Sequence, residues 1–150
     1  MVRKLSFTHL DEKNVPAAVR ALLAVKLPGA TVQRWETEVL LDGTRVFEVH
    51  VRSAEGRDCE LSAIADGRFR YTECKLPITE LPPAVRKAVD DRVPSAEIVE
   101  VEHQLGGESE VWSVEARGAT GTWEMSITSE GDVLERARVL KAKLKILVLP

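Results

Sequence analysis

The sequence holds only two cysteines, Cys59 and Cys74. Neither sits in a Cys-x-x-Cys pair or beside a histidine cluster, which excludes a thiolate metal centre. The three histidines, His9, His50 and His103, are far apart in sequence. A Gly-rich phosphate loop, a nucleophile elbow and a zinc-binding helix are all missing. No apolar run approaches the ~20 residues that span a bilayer as a helix. The start, Met1-Val2-Arg3-Lys4-Leu5-Ser6, has basic residues but no apolar stretch behind them. It does not read as a secretory signal, so the expected compartment is the cytoplasm; the alternative is an exported chain whose signal has already been removed. Charge of one sign is lacking too: 21 Lys and Arg stand against 24 Asp and Glu, a net charge of −3. That balance excludes the basic footprint of a nucleic-acid binder. These absences predict no enzyme, no cofactor, no metal and no membrane association.

What is present is an internal echo. Val15-Pro16-Ala17-Ala18-Val19-Arg20 returns as Leu81-Pro82-Pro83-Ala84-Val85-Arg86, and Leu27-Pro28-Gly29-Ala30 as Val93-Pro94-Ser95-Ala96. Val46-Phe47-Glu48-Val49 returns as Val111-Trp112-Ser113-Val114, and Asp66-Gly67 as Glu130-Gly131. The offset drifts from 66 to 64, so loops lose residues while the elements keep their order. A repeated unit gains by sharing a core with its copy. The chain divides accordingly into an N-terminal segment (1–14), a first repeat (15–76), a second repeat (77–140) and a C-terminal strand extension (141–150).

Each repeat opens with a helix. Val15, Val19, Leu22 and Leu23, echoed by Leu81, Val85, Ala88 and Val89, form one apolar stripe on a 3.6-residue period. Pro16 and Pro82 suit the first turn, and Pro28 and Pro94 end the helices. Asn14 or Asp11 is expected to cap the first helix and Thr79 the second. Alternating strands follow, with Phe47, Val49, Val51, Cys59, Leu61 and Ala63 on one face, and Trp112, Val114, Ala116, Trp123, Met125 and Ile127 as their echo. Such alternation predicts a sheet with one helix-covered face and one solvent face. The predicted fold class is α+β: two tandem helix-plus-antiparallel-meander repeats forming one antiparallel sheet, with helices packed on one face. The apolar parity of Leu140, Ala142, Leu144, Ile146 and Val148 predicts an ordered tail strand against Leu5 and Phe7 or against another chain. Lys141, Lys143 and Lys145 would protect its edge.

The cysteines test the hairpin register. A two-residue Asp66-Gly67 turn places Cys59 opposite Cys74. A Gly bulge shifts the pairing, setting Phe69 opposite Ala63 and Tyr71 opposite Leu61. Apolar Phe69 and Val133 favour the shifted register. It predicts two free thiols, Cys59 buried and Cys74 accessible.

The motifs quoted above, a helix opening in apolar-Pro-x-Ala-Val and closing in apolar-Pro-x-Ala, then an apolar-aromatic-x-Val strand and an Asp-Gly or Glu-Gly hairpin, resemble the PepSY-like unit. Two tandem copies resemble the architecture of beta-lactamase inhibitor proteins. The resemblance covers about residues 15–140. It implies a non-enzymatic binding or inhibitory role, often outside the cytoplasm.

The candidate partner-binding residues are Glu48, His50, Glu60, Ser62, Glu115, Glu124 and Ser126 on the solvent face, together with Trp35, which also fits the core. The expected function is a non-catalytic protein-binding or inhibitor-type module, monomeric or homodimeric, whose partner is another protein. The alternatives are an oligomeric subunit assembling through its terminal strands and a small-molecule or peptide binder between the repeats.

Overall fold

The computed structural model describes residues 4–40, 42–106 and 110–140, with side chains from His9 onward. Nine strands form one sheet: β1 (Lys4–Leu10), β2 (Thr31–Leu40), β3 (Arg45–Arg52), β4 (Asp58–Ile64), β5 (Phe69–Lys75), β6 (Glu97–Leu105), β7 (Val111–Gly118), β8 (Gly121–Thr128) and β9 (Val133–Val139). Their spatial order is their sequence order, and every neighbouring pair is antiparallel. Two helices, α1 (Ala17–Lys26) and α2 (Pro83–Arg92), lie in the β1–β2 and β5–β6 connections.

This corrects the expected fold class. The molecule is α+β with one large meander sheet, not two helix-strand repeats. Hydrogen bonding does not stop between the halves, because β5 pairs with β6 from Thr72–Leu105 to Lys75–Glu102. The Leu76 N–H then donates to the Val101 carbonyl at 2.9 Å. A strand before the first helix, β1, pairs with β2 and belongs to neither expected unit. The tail strand proposed for 141–150 lies outside the described residues.

The helices begin and end at prolines. Pro16 and Pro82 take the N-cap positions in extended conformation, and the C-caps are Leu27 and Val93, just before Pro28 and Pro94. The expected side-chain caps are not used. Asp11 and Thr79 belong instead to single 3-10 turns that precede the helices, and Asp11 makes no capping hydrogen bond. Val19 and Leu23 of α1 and Val85, Ala88 and Val89 of α2 are buried against the sheet. Leu22, expected in the core, is only half-buried at the margin of the first cluster. Under α1 lie Trp35, Phe47, Val49, Val51, Cys59, Leu61 and Ala63; under α2 lie Ile98, Val101, Trp112, Val114, Ala116, Met125 and Ile127.

Glycine is required where hairpin tips meet helices. Gly131 has φ +97°, and a Cβ there would lie 2.9 Å from the Ala84 carbonyl oxygen of α2. Gly43 has a similar φ of +84°, but nothing stands within 4 Å of its Cβ position. Gly43→Ala should therefore cost about 1 kcal/mol from backbone strain alone. Gly131→Ala should cost about 2–3 kcal/mol, because overpacking against α2 is added. Equal losses in urea denaturation would show that the tip does not press on the helix.

Bulges at Gln33, Arg70, Val99 and Leu134 interrupt the pairing, in addition to a register shift in β1 between Lys4 and Phe7. A bulge sets two residues against one and changes which residues share a face. At β4–β5, Ala63 pairs with Phe69, as the shifted register requires, but beyond Arg70 the pairing is Ser62–Tyr71, Leu61–Thr72 and Cys59–Cys74. Both registers are thus present in one hairpin, separated by the second bulge. The cysteines form a disulfide, correcting the expectation of two free thiols. Tyr71 moves to the face away from the helices, correcting its expected place opposite Leu61.

Candidate functional site: the glutamate-rich face of the sheet

The face away from the helices is built from residues in register across the strands. One row reads Glu36–Glu48–Ser62–Tyr71. The next reads Arg34–His50–Glu60–Glu73–Gln104–Val111. In the second half the rows are Lys75–Glu102–Ser113–Ser126–Glu135 and Glu100–Glu115–Glu124–Ala137. Glutamate recurs on almost every strand of this face, whereas the opposite face carries the apolar core.

The first half of the face holds a connected polar network. The Arg34 guanidinium donates to Glu36 Oε1 at 2.9 Å and reaches the His50 ring at 3.2 Å. His50 Nε2 stands 3.2 Å from Glu36 Oε2 and 3.6 Å from Glu60 Oε2. The Tyr71 hydroxyl reaches Glu48 and Glu60, each at 3.2 Å, and Arg70 donates to Ser62 Oγ at 3.1 Å. The bulge turns Arg70 and Tyr71 to the same side, so the pair lies over Glu48 and Ser62. Donor atoms of Glu36, Glu48 and His50 lie within 4.8 Å of one another, a grouping that could hold a metal ion. Arg34 already brings a positive charge to Glu36 and His50.

Burial pushes the Tyr71 phenol up, and Glu60, Glu48 and Glu73 push it further. The folded state therefore holds a proton that the unfolded chain loses above the ordinary value of 10.0. Stability should fall as pH rises beyond that value, since the unfolded state then binds fewer protons. Tyr71 is the only tyrosine. Its phenolate absorbance should appear only as the protein unfolds; ionisation near the ordinary value with the far-ultraviolet circular dichroism intact would remove Tyr71 from this network.

The predicted site residues separate into three groups. Trp35 is on the helix-covered face, in register with Val49, and is 5% exposed, so it is a core residue and unavailable to a partner. Glu48 and Ser62 lie on the expected face but are 1% and 0% exposed, because Tyr71 and Arg70 lie over them. His50, Glu60, Glu115 and Ser126 are half-buried, and Glu124 is exposed. Sequence parity missed Arg34, Tyr71, Glu100 and Glu102. The signal available was charge at alternate positions of β2 and β6, obscured because the bulges at Gln33 and Val99 shift the parity midway.

In the second half the carboxylates are less well matched. Lys75 bonds Glu100 and lies 4.0 Å from Glu102. Burial, then the neighbouring Glu100, pushes the Glu102 carboxyl up. Among the described residues no ion pair reaches Glu115 or Glu124. Open depressions mark the face, and two of them are rich in carboxylates. One of about 240 Å³ is lined by Arg34, His50, Glu60, Glu73 and Glu102, the other of about 140 Å³ by Glu100, Glu102, Ser113, Glu115 and Glu124.

No protein-family model matches the sequence, and no curated protein matches it. Solved structures do. A BLIP-like protein of Bacteroides fragilis is similar over 89% of this chain and 92% of its own, with TM-score 0.68 and 21% identity. A DUF2874 family protein of Bacteroides ovatus is similar over 83% of this chain and 88% of its own, with TM-score 0.67 and 16% identity. A protein of Bacteroides eggerthii described as a putative periplasmic protein covers the same shares, with TM-score 0.68 and 16% identity. At such identities the likeness is one of fold. The expected likeness to the beta-lactamase-inhibitor-protein architecture agrees with the BLIP-like neighbour, while the PepSY-like name finds no match.

Proposed function

We propose that this chain is a non-catalytic protein-binding module that uses the glutamate-rich face of its sheet. The observation that carries this reading is a broad, charged, open face whose second half leaves Glu115 and Glu124 without a counter-charge among the described residues. Small-molecule sites are mostly apolar and enclosed, whereas the depressions here are open and lined by carboxylates. The BLIP-like neighbour supports a binding role in kind. Assembly through the edge strand β9 is disfavoured by Glu135, Arg136 and Arg138, which charge that edge against strand pairing.

The module works outside the reducing cytoplasm. The Cys59–Cys74 disulfide supports this, since such bonds persist where the environment is oxidising. The description of the Bacteroides eggerthii neighbour as a putative periplasmic protein points the same way.

A photo-crosslinking residue at position 124 on the glutamate-rich face should give a discrete protein adduct in the native organism. The same residue at position 86 on α2 should give none. The reverse pattern would move the binding surface to the helices and sink this reading.

A further inference from the structure

The disulfide joins two unequal sulfurs. Cys59 is 5% exposed and belongs to the core cluster beneath α1. Cys74 is half-buried at the margin of that cluster. It lies on β5 at the seam with β6, where pairing runs only from Thr72–Leu105 to Lys75–Glu102. The helices leave this seam open, since Leu105, across from Thr72 on the helix-side face, is 49% exposed. A reagent in solvent therefore meets Cys74 before Cys59.

Across the seam from Cys74 stands His103. Directly opposite side chains of an antiparallel pair are neighbours, with Cβ atoms about 4.5–5.5 Å apart. The His103 ring is fixed from its other side. It stacks on Trp112 with centroids 4.1 Å and planes 18° apart, and its Nε2 is in hydrogen-bond contact with the Glu110 carboxylate. The row Val51–Cys59–Cys74–His103–Trp112 thus sets an oriented imidazole beside the accessible sulfur, whereas the other neighbour of Cys59 is a valine. Charged groups of the adjoining elements are engaged elsewhere. Lys26 of α1 lies over the Phe69 ring, Glu80 pairs with Arg57, and Lys75 is turned to the opposite face with Glu100 and Glu102.

We propose that Cys59 and Cys74 form a thiol–disulfide exchange site that works in the folded protein, with Cys74 as the entry sulfur, Cys59 as the resolving sulfur and His103 as the proton acceptor. This goes beyond the partner-binding reading and does not depend on it. In the closing direction the co-reactant is an external disulfide. His103 takes the Cys74 thiol proton, and Cys74 Sγ attacks one sulfur of that disulfide. The external S–S bond breaks, and the leaving thiolate takes the proton from His103. Cys59 Sγ then attacks Cys74 Sγ, the mixed disulfide breaks, and the second external thiolate leaves with the Cys59 proton. The chain's two thiols are oxidised to a disulfide, and the external disulfide is reduced to two thiols. Opening runs the same steps in reverse, with external thiols as the reductant. The thiolate is the attacking form, so a histidine beside the accessible sulfur favours attack by Cys74 over attack by Cys59.

The test uses the full chain and oxidised glutathione. In reduced, folded Cys59→Ser, Cys74 should take up one glutathione, read by mass spectrometry. In reduced, folded Cys74→Ser, Cys59 should react about tenfold more slowly or not at all. Adding His103→Gln to Cys59→Ser should slow uptake about fivefold or more at neutral pH, where thiolate is the scarce form. The difference should close at strongly alkaline pH, where the thiol ionises unaided. A purely structural effect of the substitution would persist at both. The unmutated chain gives a reading free of any folding defect: dithiothreitol should open its disulfide while the far-ultraviolet circular dichroism stays native.

Equal uptake at the two cysteines, an unchanged neutral-pH rate in the His103→Gln variant, or a rate difference that persists at alkaline pH would each overturn the inference. So would reduction of the unmutated chain that proceeds only as its native dichroism is lost, since the bond would then be closed to exchange in the folded state.

Discussion

Replacing Trp112 with alanine is expected to cost about 3–5 kcal/mol. Trp112 is 6% exposed and belongs to the cluster beneath α2. Its ring stacks on His103 with centroids 4.1 Å apart, and its Nε1 donates to Ser129 Oγ at 3.1 Å. β6 and β8 flank it, both hydrogen-bonded to β7, so the backbone cannot close over the space left behind. Domains of this kind have about 5–15 kcal/mol of stability in all, so the variant should be near the limit of folding. Trp112→Phe should retain most of the packing and lose the indole bond, at about 1 kcal/mol. Urea denaturation of both variants checks this. A loss below about 1 kcal/mol for the alanine variant would mean that the indole is not packed in the core.

The second large effect should come from the disulfide. Cys59 and Cys74 are separated by 15 residues, a closed loop whose cross-link removes about 3 kcal/mol worth of unfolded-state freedom in the chain-entropy account. Reduction, or Cys59→Ala with Cys74→Ala, should lower the melting temperature by roughly 6–12 °C for a chain of this size. Unfolded, unreduced protein should show no reactive thiol, and reduced protein two. Coincident melting curves with and without reductant would show that the cross-link does not constrain the unfolded chain, and a reactive thiol before reduction would show that it does not form.

Much of this architecture was legible in the residues, and its failures share a cause. Helix limits were readable because Pro16, Pro28, Pro82 and Pro94 fix the backbone locally. Core positions such as Phe47, Val49, Trp112 and Met125 were readable because strict alternation allows them one face. The continuity of the sheet was not, because pairing between β5 and β6 depends on how two strands meet across a helical connection. Tyr71 and Arg34 were misplaced or missed for another reason. A bulge is a change of one residue in spacing, and no residue type at Gln33, Arg70, Val99 or Leu134 announces it. The disulfide belongs with them: apolar Phe69 marks the register at the hairpin tip, but no residue marks the return to the other register beyond Arg70. Burial of Glu48 likewise depends on Tyr71, whose position depends on that bulge.

The sequential strand order has a kinetic consequence. Every strand finds its partner in the segment just before or just after it, so no pairing waits for a distant part of the chain. The entropy of closing each loop stays small, and the sheet can grow by adding one hairpin at a time. A chain emerging from one end, whether from a ribosome or through a membrane pore, can therefore lay down its sheet in the order in which it arrives, with each new strand docking on an edge already formed.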